Sequence, residues 1–224
     1  MKAMILAAGR GERLRPLTDR MPKALVDAGG KTLLAWHLER LRRAGVREVV
    51  INVSHLASQI TERFGNGAGY GLTIRWSHEP QALETAGGIA QALALLGASP
   101  FLLVNADIWC DFEFSGLRNH KLGSHLAHLV LVPNPPHHLK GDFSLDGATV
   151  GGGPGPRYTY TGIAVLSPEI VAGIRPGDKA PLGPVLVAAA ARGEVTGELH
   201  QGVWRDIGTA ERLAALQAML GSTQ

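Results

Sequence analysis

The sequence predicts an α/β fold: a Rossmann-like mixed, mostly parallel sheet with helices on both faces. Three observations carry that expectation. Short apolar runs alternate with segments of helical period through the first half of the chain, the pattern of βαβ units joined by right-handed crossovers. Phe101 to Val104 is apolar throughout, as befits a strand covered on both faces. Finally, 224 residues that are 45% hydrophobic and 18% charged suffice to bury about 70% of the surface the unfolded chain exposes.

The elements follow in order. Ala3-Met4-Ile5-Leu6 starts a strand over Lys2 to Ala8 that Gly9 stops, and a loop rich in Gly, Arg and Pro runs on to Ala28. Leu34, Leu38 and Leu41 recur at helical spacing between Thr32 and Ala44, with Gly45 placed as a left-handed cap. Glu48 to Val53 is a β-branched strand, and Leu56, Ile60 and Phe64 mark a short second helix ending at Gly65. Leu72, Ile74 and Trp76 alternate as a strand, and Thr85 to Leu96 forms a third helix closed by Gly97. After Phe101 to Val104 the pattern becomes more antiparallel. Ser124 to Val132 and Tyr158 to Leu166 read as strands joined by the glycine-rich stretch from Gly147 to Pro156, and helices at Leu182 to Arg192 and Thr209 to Leu220 flank a strand around Glu198 to Trp204. No long linker or internal repeat divides the chain, so residues 1–224 are expected to form one domain.

Composition narrows the function. No apolar run approaches the roughly 18 residues of a spanning helix, and no secretory leader pattern stands at the start, so the expectation is a cytoplasmic protein without a membrane partner. The single Cys110 has no partner for a disulfide or a Cys-paired zinc site. The net charge of +3 is unevenly spread: residues 1–47 carry 11 Lys/Arg against 4 Asp/Glu, and the remainder 11 against 15. Arg40, Arg42, Arg43 and Arg47 read as a solvated helix face, whereas Arg10, Arg13, Arg15 and Lys23 sit among glycines and prolines, where an anion would bind. With 5% aromatic residues and no aromatic-interleaved basic stripe, a small phosphate ligand fits better than nucleic acid.

Leu6-Ala7-Ala8-Gly9-Arg10-Gly11-Glu12-Arg13-Leu14-Arg15-Pro16-Leu17-Thr18, then Met21-Pro22-Lys23, is the most informative stretch. Two glycines after a strand let backbone N–H groups close on a phosphate. A dinucleotide fingerprint fails because Leu14 stands where its third glycine belongs, and a Walker loop fails because Glu12-Arg13 follows Gly11. These residues resemble the sugar-1-phosphate nucleotidyltransferase family, whose glycine loop reads L-A-A-G-x-G-x-R-L-x-P-L-T, then P-K; Ala24 replaces the proline usual after the lysine. Asn105-Ala106-Asp107 and Trp204-Arg205-Asp206-Ile207-Gly208-Thr209 extend the resemblance along the chain. Within the family, Leu83-Glu84-Thr85-Ala86-Gly87-Gly88-Ile89, Trp109 and Gly141-Asp142-Phe143 are similar to the short bacterial uridylyltransferases that act on N-acetylmuramic acid 1-phosphate in cell-wall recycling.

The resemblance implies an enzyme that transfers UMP from UTP to a sugar 1-phosphate and releases pyrophosphate, with its nucleotide half over about 1–110 and its sugar half over about 111–224. Ala8, Gly9, Gly11, Glu12 and Arg13 would hold the triphosphate, and Lys23 would be the cation between the two phosphates; Lys23, Arg13 and Asp107 form the implied catalytic set. Asp107 and Asp206, each at a strand end, would hold Mg²⁺, which takes one or two protein carboxylates. Glu79, Thr85, Gly87 and Gly88 are assigned to the base, since glycine inside a helix suggests close approach to a ligand. Asn105, Asp142, Thr161 and Gly162 are assigned to the sugar. Where relatives carry Glu-Lys-Pro, this chain has Gly151 to Pro156, so the sugar is open; glucose or mannose 1-phosphate with dTTP or GTP is the alternative in class, and a non-catalytic nucleotide-binding module the alternative outside it. Asp111 reads as a helix cap. His125 and His128 read as strand residues on opposite faces, and no metal motif includes any of the nine histidines. Oligomeric state is not legible.

Overall fold

The computed structural model describes residues 1–153 and 155–221, so Pro154 of the glycine-rich stretch lies outside the described residues. β1 (Ala3–Leu6), α1 (Leu33–Arg43), β2 (Glu48–Val53), α2 (Ala57–Phe64), β3 (Thr73–His78), α3 (Glu84–Leu96) and β4 (Phe101–Asn105) build the first half. The second comprises β5 (Ile108–Cys110), α4 (Phe114–Arg118), β6 (Ala127–Val132), β7 (Phe143–Asp146), β8 (Thr149–Gly151), β9 (Arg157–Leu166), α5 (Leu182–Ala191), β10 (Val195–Leu199), β11 (Trp204–Asp206) and α6 (Ala210–Gly221).

One nine-stranded sheet in the order β3-β2-β1-β4-β9-β6-β10-β8-β7 crosses both halves. β1 to β4 are parallel, and their register sets Leu6 beside Asn52 on one side and Asn105 on the other. Three carboxyl ends therefore finish level with the glycine loop, where open parallel sheets bind ligands. Beyond β4 the ladders are antiparallel except for β6 with β10. A separate ribbon pairs β5 with β11.

Alternation along β1 decides the two layers. Ala3 and Ile5 pack with Leu34, Leu38 and Leu41 of α1, Ile60 of α2 and Phe114 of α4, whereas Met4 packs with Ile89 of α3 and Leu186 of α5. Each large side chain buried this way contributes about 1.5–3 kcal/mol. A third cluster ties the glycine loop to the C-terminal helix: Leu14 and Val26 meet Ile207, Leu213 and Leu216.

Several boundaries differ from the sequence reading. The strand expected around Glu198 to Trp204 is two strands, because the chain turns at His200 to Val203 to leave the main sheet for the ribbon. The stretch from Gly147 starts as a hairpin turn, Gly147 at φ 56° joining β7 to β8. β6 begins at Ala127, so His125 precedes it and bonds Leu122 O through its ring, while His128 is buried against Thr196. Asp111 does not cap α4; its carboxylate meets His200. Among the described residues, no helix is long and apolar enough to cross a membrane.

Candidate active site

A cavity of about 690 Å³ opens over the carboxyl ends of β1, β2 and β4, a volume suited to one small organic ligand. Ala8, Gly9, Gly11, Glu12, Arg13, Lys23, Glu79, Thr85, Asn105 and Asp107 all line it. The loop over it is shaped by its two glycines differently. Gly9 has open space where a Cβ would stand, so a ligand can approach its backbone. Gly11 takes φ +66°, and a Cβ there would sit 2.9 Å from the Thr18 side chain and 3.2 Å from that of Lys23. Gly11 thus leaves room for the chain's own return, which Thr18 ties down by donating to Gly11 O at 2.8 Å.

Lys23 is led into the cavity by that return, on a 3-10 turn over Lys23–Leu25. Its ammonium lies 2.5 Å from Asp107 Oδ2, with the lysine side chain 11% exposed and the aspartate 40%. Asp107 sits in the turn between β4 and β5, and Ile207 N donates to its carbonyl at 2.8 Å. The ribbon pairing, Asp206 opposite Ile108, thereby sets the backbones of Asp107 and Asp206 close together. Asp206 itself does not line the cavity; its carboxylate is ion-paired with Arg212, and Gly208, which does line the cavity, leaves space for that pair.

The site also contains residues that sequence reasoning missed. Asn52, a polar residue ending an apolar parallel strand, was findable by the strand-end rule. It accepts from Ala7 N at 2.8 Å and donates to Glu79 Oε1 at 2.7 Å, while Glu79 Oε2 accepts from Leu83 N at 2.9 Å. This buried network joins the ends of β1 and β2 to the start of α3. Ala82, Glu84 and Lys179 also line the cavity, beside Arg10, which the sequence places with the anion-binding cations. Glu84 adopts φ +60°, a left-handed conformation that costs a non-glycine residue about 1–2 kcal/mol. It is held by Lys179 at 3.4 Å and by the docking of Ala180 on the Leu83 to Gly87 turn through three backbone bonds. Nothing in the Pro- and Gly-rich segment before α5 signals Lys179.

Five of the expected ligand contacts are placed otherwise. Gly87 and Gly88 do not line the cavity. A Cβ on Gly87 would collide with the Asp178 carbonyl, and one on Gly88 would fall 2.7 Å from Glu79 Oε1 and 2.8 Å from Asn52 Nδ2. Both glycines make room for protein. Thr161 spends its hydroxyl within the fold, donating to Val130 O and accepting from Ile163 N. Gly162, φ +82°, stands where a Cβ would press 2.6 Å against the Asn105 amide, so it shapes Asn105 rather than facing the cavity. Asp142 accepts from Tyr160 N at 2.8 Å and meets His138 at 2.9 Å, also outside the cavity lining.

A cleft over the carboxyl ends of parallel strands, lined by a glycine loop, a largely buried lysine and a strand-end aspartate, suits a phosphate-bearing ligand. Residues 2–139 match the family profile described as Nucleotidyl transferase. The chain belongs to that family. The transferase is 50% identical, over 99% of both chains, to the N-acetylmuramate alpha-1-phosphate uridylyltransferase of Neisseria meningitidis. It is 34% identical to the protein of the same name from Caulobacter vibrioides, over 97% of this chain and 96% of that one. The transferase fold also superposes on HddC from Yersinia pseudotuberculosis complexed with GMP-PN, at a TM-score of 0.80 and 23% identity over 97% and 98% of the two chains.

Proposed function

We propose that this transferase moves UMP from UTP to N-acetylmuramic acid 1-phosphate, giving UDP-N-acetylmuramic acid and pyrophosphate as a step of peptidoglycan recycling in the cytoplasm. The observation that carries the substrate is the likeness over essentially the whole length to relatives named for that reaction. The cavity supplies the matching chemistry.

An oxygen of the sugar phosphate attacks the α-phosphorus, and the bond to the bridging oxygen of the β-phosphate breaks, its electron pair leaving with pyrophosphate. Two polyanions must be held in line, so positioning and charge neutralisation dominate. The backbone at Gly9 and the guanidinium groups of Arg10 and Arg13 face the triphosphate. Lys23 exchanges its bond to Asp107 for the phosphoryl oxygens that carry charge in the transition state. Glu79, fixed by Asn52 and Leu83, and Thr85 border the base, and Asn105 borders the sugar.

The donor set of Asp107 and Asp206 fits Mg²⁺. Asp206 Oδ1 is buried without a hydrogen bond, since His137 Nε2, though 3.0 Å away, meets it outside hydrogen-bond geometry. A hard cation would satisfy that orphaned acceptor. When bound, Mg²⁺ would neutralise phosphate charge and polarise the α-phosphoryl group.

Pyrophosphate release measured over four nucleoside triphosphates and several sugar 1-phosphates with Mg²⁺ tests the reading. Turnover is expected with UTP and N-acetylmuramic acid 1-phosphate. A preference for GTP or dTTP, or for glucose or mannose 1-phosphate, overturns the substrate assignment.

A further inference from the structure

At the end of the ribbon away from the cavity, three side chains meet that the transfer reaction does not use. We propose that Cys110, Asp111 and His200 form a binding site for a thiophilic divalent cation of the Zn²⁺ class, at the opposite end of the ribbon from Asp107 and Asp206. One ligand atom from each residue lies within 4.8 Å of the other two. Zinc bonds of about 2.0–2.3 Å set tetrahedral donors roughly 3.5 Å apart. The observed spacing brackets that value, His200 Nε2 and Asp111 Oδ1 being 2.7 Å apart, so small side-chain rotations would seat the cation.

The fold builds this meeting from segments 89 residues apart. Cys110 pairs with Trp204 across the ribbon, Asp111 N donates to Val203 O at 3.0 Å, and His200 N donates to Leu131 O at 2.8 Å. Gly202 leaves the necessary room: a Cβ there would lie 2.5 Å from both Asp111 Oδ1 and His200 Cε1. The donor chemistry is also suitable. Cys110 is buried, and its sulfur accepts the Phe112 N–H at 3.4 Å, a bond that supports a thiolate ligand. Thiolate, carboxylate and neutral imidazole together match a divalent charge and leave a fourth position for water. The partly exposed Asp111 and His200 side chains provide the entry path. A donor set that includes sulfur and nitrogen selects a softer ion than the carboxylates of Asp107 and Asp206, so the two sites would not compete for one metal.

Cobalt titration of the chelator-treated full chain tests this. Cys110 is the only cysteine, so a thiolate-to-cobalt charge-transfer band reports this site alone. The band is expected to saturate at one equivalent, to bleach on adding Zn²⁺, to persist in Asp107→Asn, and to be lost in Cys110→Ser. In His200→Ala, a change outside the cavity lining, cobalt affinity should fall at least tenfold while Mg²⁺-dependent pyrophosphate release is kept. No band at saturating cobalt overturns the proposal. So does a band in His200→Ala at unchanged affinity, because the thiol would then bind metal without its neighbours.

Discussion

Lys23 Nζ and Asp107 Oδ2 lie 2.5 Å apart, an ion pair joining a loop to a strand end across 84 residues. The pair keeps the cation proposed to meet phosphate beside the carboxylate proposed to hold Mg²⁺, each neutralising the other. Because the aspartate is 40% exposed, solvent screening limits the contribution to stability to about 1 kcal/mol or less. Lys23→Ala should therefore lower turnover by roughly 10²–10³, the scale of removing one donor to developing charge, with little change in melting temperature. Pyrophosphate release and a thermal melt on the same preparation check this; a large drop in melting temperature would assign Lys23 a structural role.

The glycines separate into two behaviours. Gly9→Ala meets nothing within 4 Å at an ordinary φ, whereas the methyl of Gly87→Ala would strike the Asp178 carbonyl. We expect Gly9→Ala to melt like wild type but bind UTP more weakly, and Gly87→Ala to lose about 1–3 kcal/mol of stability through overpacking. Urea unfolding beside calorimetric UTP titration distinguishes them, and equal stability in the two variants would contradict the assignment.

Asn52 offers a sharper test of the network under the cavity. Asn52→Ala would leave Ala7 N without its side-chain acceptor and Glu79 Oε1 without its donor. One buried and one half-buried group left unpaired cost on the order of 3 kcal/mol together. Asn52→Ala should unfold at lower urea and raise the KM for UTP, since the Glu79 carboxylate would no longer be fixed. An unchanged KM alongside the stability loss would limit Asn52 to packing.

These variants also mark how far the sequence could be read. Gly9 to Lys23 and Asn105 to Asp107 were legible because each lies within one contiguous motif at the end of a parallel strand, where topology alone supplies the location. The crowding of Gly87 and Gly88 by protein was not legible, because a helical glycine looks the same in sequence whether a ligand or a distant backbone approaches it. Here it is the Asp178–Ala180 segment, about 90 residues on, that approaches Gly87. The same holds for Thr161, whose hydroxyl bonds within the fold at the bulge where β9 shifts register against β6. The meeting of Asp111 with His200 depends on a ribbon pairing that no periodicity announces.

Stability should carry the signature of one histidine. His37, on α1 beneath the turn that bears Asp107, is 2% exposed, its ring set against the Ala106 and Ile108 backbone. Burial first, and then the nearby Arg40 charge, lower its pKa to about 4 from 6.5. The unfolded chain therefore takes up this proton at higher pH than the folded one. His37's contribution is fully present above about pH 6.5 and is lost as pH falls toward 4, at up to about 1.4 kcal/mol per pH unit and roughly 3 kcal/mol in all. Urea unfolding at intervals from pH 7 to pH 4 should show that decline in wild type and a shallower one in His37→Gln, which cannot take up the proton. Parallel declines in the two proteins would show that His37 is not the group responsible.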